Sequence, residues 1–423
     1  MKRYKFIGTL FLLVLVMNSA ISSELPDLFG EHELGMRTRY QSVNDNWLGD
    51  ANAFTTRLTL TSKFILDQNE QWQLTLQPNY VYAFNEDHYN SVTVTRHTSP
   101  IPDPDGFNLT QGLIQYDSNN FWQASIGRQM VSFDNERFIG SVEFWQTPQN
   151  FDAVTLQYNN QENLDIQYVY SNKVHRIFGQ DSTLNLPADD VRFGLIEQRP
   201  VNELGQHRLD SHFLNIAFNT ENNLSIVGYH YYIYNHDQAW FSTKTTGLRV
   251  SDEFKPGKIK YRYTAEFALQ NEIKNNPANY QTWYSLFEVG IQYKSHRLDI
   301  SQETLSQDDF NGFKTPLATN HKFQGWADAF AGYGVQAGIR DQYLTYRGRK
   351  SKLNWRIVYH NFDNYNNSEN IGTELDIELG YRFTRQWQLK LIYADYRSKK
   401  GLQYFPKANH DLSTWFASIA YNI

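Results

Sequence analysis

The sequence lacks several features that common classes of protein require. It has no cysteine among 423 residues, which excludes a disulfide framework, a thiolate metal site and a cysteine nucleophile. Beyond the N-terminus no apolar run reaches the ~18 residues of a membrane-spanning helix. The net charge of -6 excludes a generally basic nucleic-acid-binding protein. Aromatic residues, in contrast, make up 16% of the chain, and a disordered protein would be poor in them.

The N-terminus has the features of a secretory signal peptide in the usual order. Basic residues within the first five positions precede an apolar run from Phe6 to Met17, and small residues follow. The run is short for a transmembrane helix, although a lone membrane anchor is the other interpretation. We therefore expect a signal peptide over residues 1–22, cleaved near Ala20–Ser23, and a single domain over residues 23–423.

Alternation of apolar and polar residues recurs along the rest of the chain. It is clearest in Trp72–Tyr80, Tyr261–Gln270, Glu374–Phe383 and Trp387–Tyr393. A period of two over about ten residues is typical of a β-strand with one apolar and one polar face. Trp415–Ile423 alternates in the same way to the last residue, as expected of a strand that closes a barrel.

The segments between these strands fall into two size classes. Eight short polar turns lie near residues 67–71, 117–120, 159–163, 219–223, 255–258, 294–297, 347–352 and 384–386. Longer segments lie near residues 44–53, 83–108, 130–150, 171–207, 234–245, 271–282, 304–334, 361–372 and 397–413. Eight hairpins and one further strand at each end give eighteen strands. Short turns on one side and long loops on the other are typical of a bacterial outer-membrane barrel.

We therefore predict an all-β fold, a transmembrane antiparallel up-and-down barrel of about eighteen strands with short periplasmic turns and long extracellular loops. The lipid bilayer of the bacterial outer membrane would be its surroundings, and the aromatic residues would collect at the two membrane interfaces. The alternative is a soluble all-β protein, which would need a second layer to cover its apolar faces.

Several stretches resemble the alginate-export outer-membrane porin family. The most specific are Ile126–Gly140 (IGRQMVSFDNERFIG), continued by Trp145–Val154, and Phe313–Asp328 (FKTPLATNHKFQGWAD). Gly372–Leu379 with Tyr393–Tyr396, Arg37–Tyr40 and Gly338–Asp341 also look like family positions. The resemblance implies a monomeric eighteen-stranded barrel with an arginine-lined channel that guides an anionic polysaccharide outward. The resemblance does not settle which solute passes, and the residues themselves indicate neither the direction of transport nor a periplasmic partner.

The polar face of each predicted strand should point into the water-filled lumen, and the charged residues on these faces can be named without the family resemblance. The cations are Arg37, Arg39, Arg57, Lys63, Arg262, Arg340, Arg356, Arg382 and Lys390, and the anions are Asp165, Glu266, Glu288, Asp299, Glu374, Asp376 and Glu378. Rings of arginine or lysine select anions, and guanidinium groups bind carboxylates bidentately. Arg37, Arg39 and Arg57 could form one ladder for such a solute. Alternatively, opposite charges pair across neighbouring strands and only stiffen the wall.

Arg128 has the same parity as the lipid-facing residues Trp122 and Ile126. A charged residue facing lipid at the midplane would cost ~2–4 kcal/mol. Either Gly127 lies at a bulge that turns Arg128 inward, or the strand has already left the apolar band. The family resemblance favours Arg128 in the channel, near Asp134 and Arg137.

The segment 304–334 is long for a connection inside a compact fold, which usually indicates function or disorder. Its glycines and aromatic residues favour an extracellular loop folded over or into the pore. His321, Lys322, Trp326 and Asp328 are then candidates for gating or solute contact. A loop that packs only for stability is the other interpretation.

Motifs of enzymes and metal sites are absent from the sequence. There is neither a Gly-x-Ser-x-Gly elbow nor a His-Glu-x-x-His helix. Asp103–Gly106 and Asp308–Gly312 have oxygen ligands of the kind that Ca²⁺ prefers, and a plain turn is the other interpretation. We expect no cofactor and no catalysis.

We therefore expect a channel for passive passage of a hydrophilic anionic solute, either a polysaccharide or an organic anion. A general or cation-preferring porin is a competing hypothesis, because the lumen charges are nearly balanced. A surface enzyme on a barrel scaffold, with a Ser–His–acid or acid–His cluster at the extracellular rim, is a second competing hypothesis. A structural or adhesive barrel sealed by ion pairs is a third.

Overall fold

The computed structural model describes residues 30–221, 223–330, 337–399 and 407–423. The signal peptide expected at residues 1–22 lies outside the described residues. Eighteen strands form one antiparallel sheet, which closes where the last strand pairs with the first, Gly35 opposite Asn422. Within the described part of the chain no helix is long and apolar enough to cross a membrane. The predicted fold and strand number are confirmed.

The barrel strands are β1 His32–Asp45, β2 Ala51–Ile65, β3 Trp72–Ala83, β4 Gly106–Asp117, β5 Trp122–Gln129, β6 Asn150–Asn159, β7 Leu164–His175, β8 Gln206–Asn219, β9 Ser225–Ile233, β10 Thr243–Phe254, β11 Ile259–Glu272, β12 Gln281–Tyr293, β13 His296–Leu305, β16 Ile339–Lys350, β17 Leu353–Asn364, β18 Asn370–Arg382, β19 Trp387–Ser398 and β20 Leu412–Asn422. A small hairpin, β14 Gln307–Asp308 and β15 Asn311–Gly312, lies in the loop after β13. Short 3-10 helices span Glu86–His88, Val201–Glu203, Ala239–Phe241, Asn320–Lys322 and Lys407–Asn409.

The outer face of the barrel is apolar, as the alternation predicted. Ile126, Phe287 and Ile300 are exposed by 60%, 56% and 59%, although each belongs to a paired strand. Trp122 packs against Tyr158, and Trp387 against Tyr421, near the short turns. Such an exterior is stable in lipid, where aromatic residues lie at the interfaces. The outer face of the barrel is therefore suited to contact with lipid.

The eight short turns join the strands at the positions predicted from the sequence. Two of them are shorter than predicted and consist of only two residues, 294–295 and 351–352. Lys294 and Ser351 adopt φ of 52° and 54° there, as tight hairpin turns require. The longer connections all lie at the other end of the barrel, the extracellular end in this class of protein.

Two of the long connections enter the barrel. We call them the first inner loop (residues 130–149) and the second inner loop (residues 306–330 of the segment after β13). They pair with each other, because Gly140 N donates to Leu317 O at 2.9 Å. Phe138 of the first inner loop is buried against Tyr229, Tyr284 and Phe313, with ring centroids 5.2–5.8 Å apart. The barrel is thus partly filled by its own loops.

Candidate functional site: the channel interior

Within the described part of the chain, one cavity lies on each side of the inner loops inside the barrel. The extracellular cavity, about 400 Å³, lies beneath the loops that follow β3, β5 and β7, and Trp145 and Phe178 are part of its lining. The periplasmic cavity, about 440 Å³, lies between the inner loops and the wall formed by β1 and β17–β20. His321 lines both cavities. The two cavities therefore adjoin at this side chain.

His321 is held between aromatic rings and a carboxylate. Its ring stacks on Phe144 with centroids 3.6 Å apart, and its Nδ1 lies 2.9 Å from the Asp328 carboxylate. Lys407 Nζ donates to the Asp328 main-chain oxygen at 2.9 Å, and burial lowers the pKa of this ammonium group. Lys322 and Trp326 line the periplasmic cavity. Each of the four loop residues selected from the sequence thus lines at least one of the two cavities, and their role in gating or solute contact stays a prediction.

The periplasmic cavity has more cations than carboxylates. Among the described residues that line it, the cations are Arg37, Arg39, Lys322, Arg356 and Lys390, and the acids are Glu136, Glu143 and Glu378. Glu378 is shared, with Arg356 at 3.3 Å and Lys390 at 3.6 Å. Lys390 and Lys322 are 45% and 44% exposed, so their charges act on the water of the cavity.

Arg37 and Arg57 mainly position the first inner loop. Arg37 donates to Gln146 Oε1 and to Glu143 O, both at 2.9 Å, and Arg57 donates to Gln146 O at 3.1 Å. Gln146 Nε2 in turn donates to Thr55 Oγ1 at 3.0 Å. The two guanidinium groups face each other in register on β1 and β2, as the ladder hypothesis required. Their donors, however, are used by the loop backbone.

Arg39 is buried, with 4% of its side chain exposed. It forms an ion pair with Asp103 at 2.9 Å and lies against Phe144 and Trp145, 4.8 Å from each ring centroid. Arg39 therefore joins the loop after β3 to the first inner loop. The Asp103 carboxylate is occupied by this contact, and calcium binding in the loops stays a prediction.

A second charged cluster lines the wall of β11–β16. Asp299 is completely buried and accepts from Arg297 at 2.8 Å and from Arg347 at 2.6 Å. Arg262 lies 3.0 Å from Glu288, as cross-strand pairing predicted. Three cations thus surround two carboxylates. Arg297 and Arg347 were not among the predicted lumen cations, because the sequence pattern placed both in turns. The turns are only two residues long, which leaves both arginines on inward-facing strand positions.

Two arginines expected in the channel lie on the outer face, so these predictions were wrong. Gly127 has φ of +127°, and a Cβ there would lie 2.3 Å from Gly112 O. The pairing of β5 nevertheless keeps its register, so Arg128 stays on the outer parity and pairs with Asp152 at 2.8 Å. Arg340 also points outward. The residues on either side of it on β16, Ile339 and Asp341, are buried and face inward, and Leu344, which shares the face of Arg340, is exposed.

Asp134 and Arg137 lie in the first inner loop rather than beside Arg128. Burial raises the pKa of Asp134, whose carboxylate accepts from Asn215 Nδ2 at 3.0 Å. Arg137 is 1% exposed and pairs with Glu303 at 2.8 Å. The expectation that Arg137 lines the pore was wrong, because this pair lies buried between the loop and the wall. Removing one member of a buried pair typically costs about 3–5 kcal/mol.

A buried acid–His cluster holds the second inner loop. His360 lies 2.9 Å from Asp341 and 3.5 Å from Asp376, and all three side chains are buried. Trp326 N and Ala327 N donate to Asp376 and Glu374, at 3.3 Å and 2.6 Å. The enzyme hypothesis required such a cluster at the accessible extracellular rim. This one is covered by the loop that it binds.

Similar folds occur among solved outer-membrane channels. OccAB2 of Acinetobacter baumannii is similar with a TM-score of 0.68 and 12% identity, over 94% of this chain and 99% of that one. OccK9 (OpdG) of Pseudomonas aeruginosa has a TM-score of 0.67 and 13% identity, over 93% and 98%. OpdK of the same species, solved with vanillate, has a TM-score of 0.65 and 11% identity, over 93% of this chain and 99% of that one.

No family model and no curated protein matches the chain. The resemblance to alginate exporters therefore stays an expectation. At these identities the similarity concerns the fold, which is the closed 18-stranded barrel of bacterial outer-membrane porins.

Proposed function

We propose that the barrel conducts small hydrophilic anions passively across the outer membrane. The observation that supports this most directly is the lining of the periplasmic cavity, which has five cations and three carboxylates among the described residues. One of the five, Arg39, is buried and paired with Asp103, which leaves four cations against three carboxylates. Most of these cations lie on the wall or on a loop that faces water. A permeating anion would be attracted without covalent chemistry.

The ion pairs among these lining residues also allow a bound anion to leave. Arg356 and Lys390 share Glu378, and Lys322 lies 3.5 Å from Glu136. Such partly exposed pairs are weak, because water screens them. A carboxylate solute can exchange with Glu378 at the two cations and then pass on, as conduction requires. The Arg297–Asp299–Arg347 cluster offers a further cationic stretch on the neighbouring wall.

The inner loops favour a small anion over a polymer. They pair with each other and leave two cavities of about 400 and 440 Å³ that adjoin at His321. An anionic polysaccharide, which the alginate-export resemblance implied, would require both loops to move away from the wall. Vanillate, named with the similar barrel OpdK, is a small organic anion and supports the same solute class. A monomeric state and a periplasmic partner stay predictions.

Single channels of the purified protein in a planar bilayer under a KCl gradient test this proposal. A reversal potential that shows chloride preference is the expected result. Potassium preference would overturn the anion proposal and indicate a cation-preferring porin. The lack of any conductance would overturn the channel itself and indicate a sealed structural barrel.

A further inference from the structure

The short periplasmic turns of the barrel are divided by charge into two halves. The four turns between β2 and β9, with the strand residues next to them, contain no lysine or arginine, and their acids are Asp67, Glu70, Asp117, Glu162 and Glu221. The four turns between β10 and β19, taken in the same way, contain no acid, and their cations are Lys255, Lys258, Lys294, Lys350, Lys352, Arg382 and Arg385. Since the strands follow one another around the barrel, its periplasmic rim is acidic on one side and basic on the other.

From β12 to β19 the basic half also lacks acids on the strands next to the turns. Residues 291–298, 342–360 and 379–394 contain none. The turn after β10 differs, because Asp252 and Glu253 precede its lysines and reduce the net charge there. The uncompensated positive charge therefore lies on the three turns that follow β12, β16 and β18.

The acids at the borders of these segments do not neutralise the turns. Asp299 and Glu378 face inward and are bound by lumen cations, Asp299 by Arg347 at 2.6 Å and Glu378 by Arg356 at 3.3 Å. Arg382 also faces inward on β18. Four cations remain on the turns or on the outer face, and we call them the basic arc: Lys294, Lys350, Lys352 and Arg385. All four are exposed, and none of them forms an ion pair with a residue that the structure describes.

Hydrogen bonds between the turns hold the basic arc together. Lys352 Nζ donates to Phe383 O at 2.7 Å, which joins the turns after β16 and β18. Arg349 N donates to Ser295 O at 3.2 Å, which joins the end of β16 to the turn after β12. The cations of the three turns are therefore neighbours on one continuous part of the rim.

Aromatic side chains on the outer face place the basic arc at the membrane surface. Tyr346 Oη lies 2.8 Å from His296 Nδ1, and the ring of Trp355 lies 6.0 Å from that of His296. Aromatic residues collect at the membrane interface of a barrel. Lys350 has the same outer parity as Tyr346 and lies four positions closer to the turn. The basic arc therefore lies at the level of the inner-leaflet headgroups.

The shortness of the turns favours a lipid over a protein as the occupant. The turns 294–295 and 351–352 have only two residues, so they hold their cations at the membrane surface instead of extending them into the periplasm. Lys294 Nζ lies 5.3 Å from the ring centroid of Tyr293, which is exposed on the outer parity of β12. Clusters of lysine and arginine next to a membrane attract anionic lipids.

We propose that the basic arc binds the phosphate groups of anionic glycerophospholipids in the inner leaflet of the outer membrane. Lys294, Lys350 and Arg385 contact the phosphates through charge-assisted hydrogen bonds. Lys352 adds positive charge while its ammonium group stays bound to the neighbouring turn. The acidic half of the rim repels the same lipids, so they collect on one side of the barrel. This inference does not rest on the channel function proposed above.

Native mass spectrometry of the intact protein in detergent tests the inference, with phosphatidylglycerol, zwitterionic phosphatidylethanolamine and inorganic phosphate as probes. We expect phosphatidylglycerol to bind more tightly than phosphatidylethanolamine. Lys350→Gln should weaken its binding about fivefold, as one basic residue near an anionic lipid contributes, and Lys294→Gln with Lys350→Gln roughly 25-fold. Lys350→Arg should retain the binding, because it keeps the charge.

Lys244→Gln is the matched control, because Lys244 is also an exposed lysine on the outer parity of its strand but lies at the extracellular end of β10. It should leave lipid binding unchanged. Equal binding of the two phospholipids, or an equal loss in Lys244→Gln, would overturn the proposal. Unchanged binding in the double variant would also overturn it and would leave the basic arc to an acidic periplasmic protein. Displacement of phosphatidylglycerol by an equal concentration of inorganic phosphate would overturn the assignment to a lipid.

Discussion

Reversing the charge of Lys390 should remove the anion preference of the channel. Lys390 lies on the inward face of β19, is 45% exposed and lines the periplasmic cavity. A unit charge ~6 Å from a permeating ion changes its energy by about 0.7 kcal/mol in water, which screening at 0.1 M salt reduces to about 0.4 kcal/mol. Lys390→Glu changes the charge by two units, with opposite effects on chloride and potassium. The permeability ratio should therefore fall roughly tenfold.

The measurement is the reversal potential of single channels in a KCl gradient. Lys390→Gln should give about half of the effect on a logarithmic scale, roughly threefold. Lys244→Glu is the control, because Lys244 is exposed on the outer parity of β10. An unchanged ratio in Lys390→Glu, or an equal change in Lys244→Glu, would refute the assignment of the ion path to the periplasmic cavity.

Further predictions concern the inner loops and the outer face. His321→Ala should raise single-channel conductance, since this ring lies between the two cavities; an unchanged conductance would place the path elsewhere. Gln146→Ala should increase fluctuations of the open-channel current, because the C-terminal part of the first inner loop loses its side-chain hydrogen bonds to the wall; a quiet trace would contradict this. Burial lowers the pKa of Lys314 to about 8, below the usual value of 10.5. The unfolded chain therefore binds more protons between pH 8 and 10.5, and stability should rise with pH across this window. Circular-dichroism melting curves should show a smaller rise for Lys314→Met. Arg128→Leu should destabilise the barrel by about 1–3 kcal/mol by leaving Asp152 without its main partner, and Arg128→Leu with Asp152→Leu should recover most of this in urea-unfolding experiments.

The barrel itself was predictable from the sequence because its signals are local. A strand in lipid must alternate, so the parity of Trp72–Tyr80 or Trp387–Tyr393 already assigns their outer faces. The turns were equally clear, although the boundaries near Arg297 and Arg347 were set too wide. That error of a few residues removed two lumen cations from the list.

The interior was decided by tertiary structure. The inner loops have no periodicity, so the sequence does not indicate that Arg37 meets Glu143, 106 positions away, or that Arg137 pairs with Glu303. Parity correctly suggested the outer face for Arg128, but the pairing with Asp152 that makes this position stable appears only when β5 and β6 are in register. The sequence by itself determined which faces meet lipid and water, because burial in a barrel follows a period of two. The shape and charge of the channel depended on how two long loops pack inside it, because those contacts join residues far apart in the chain.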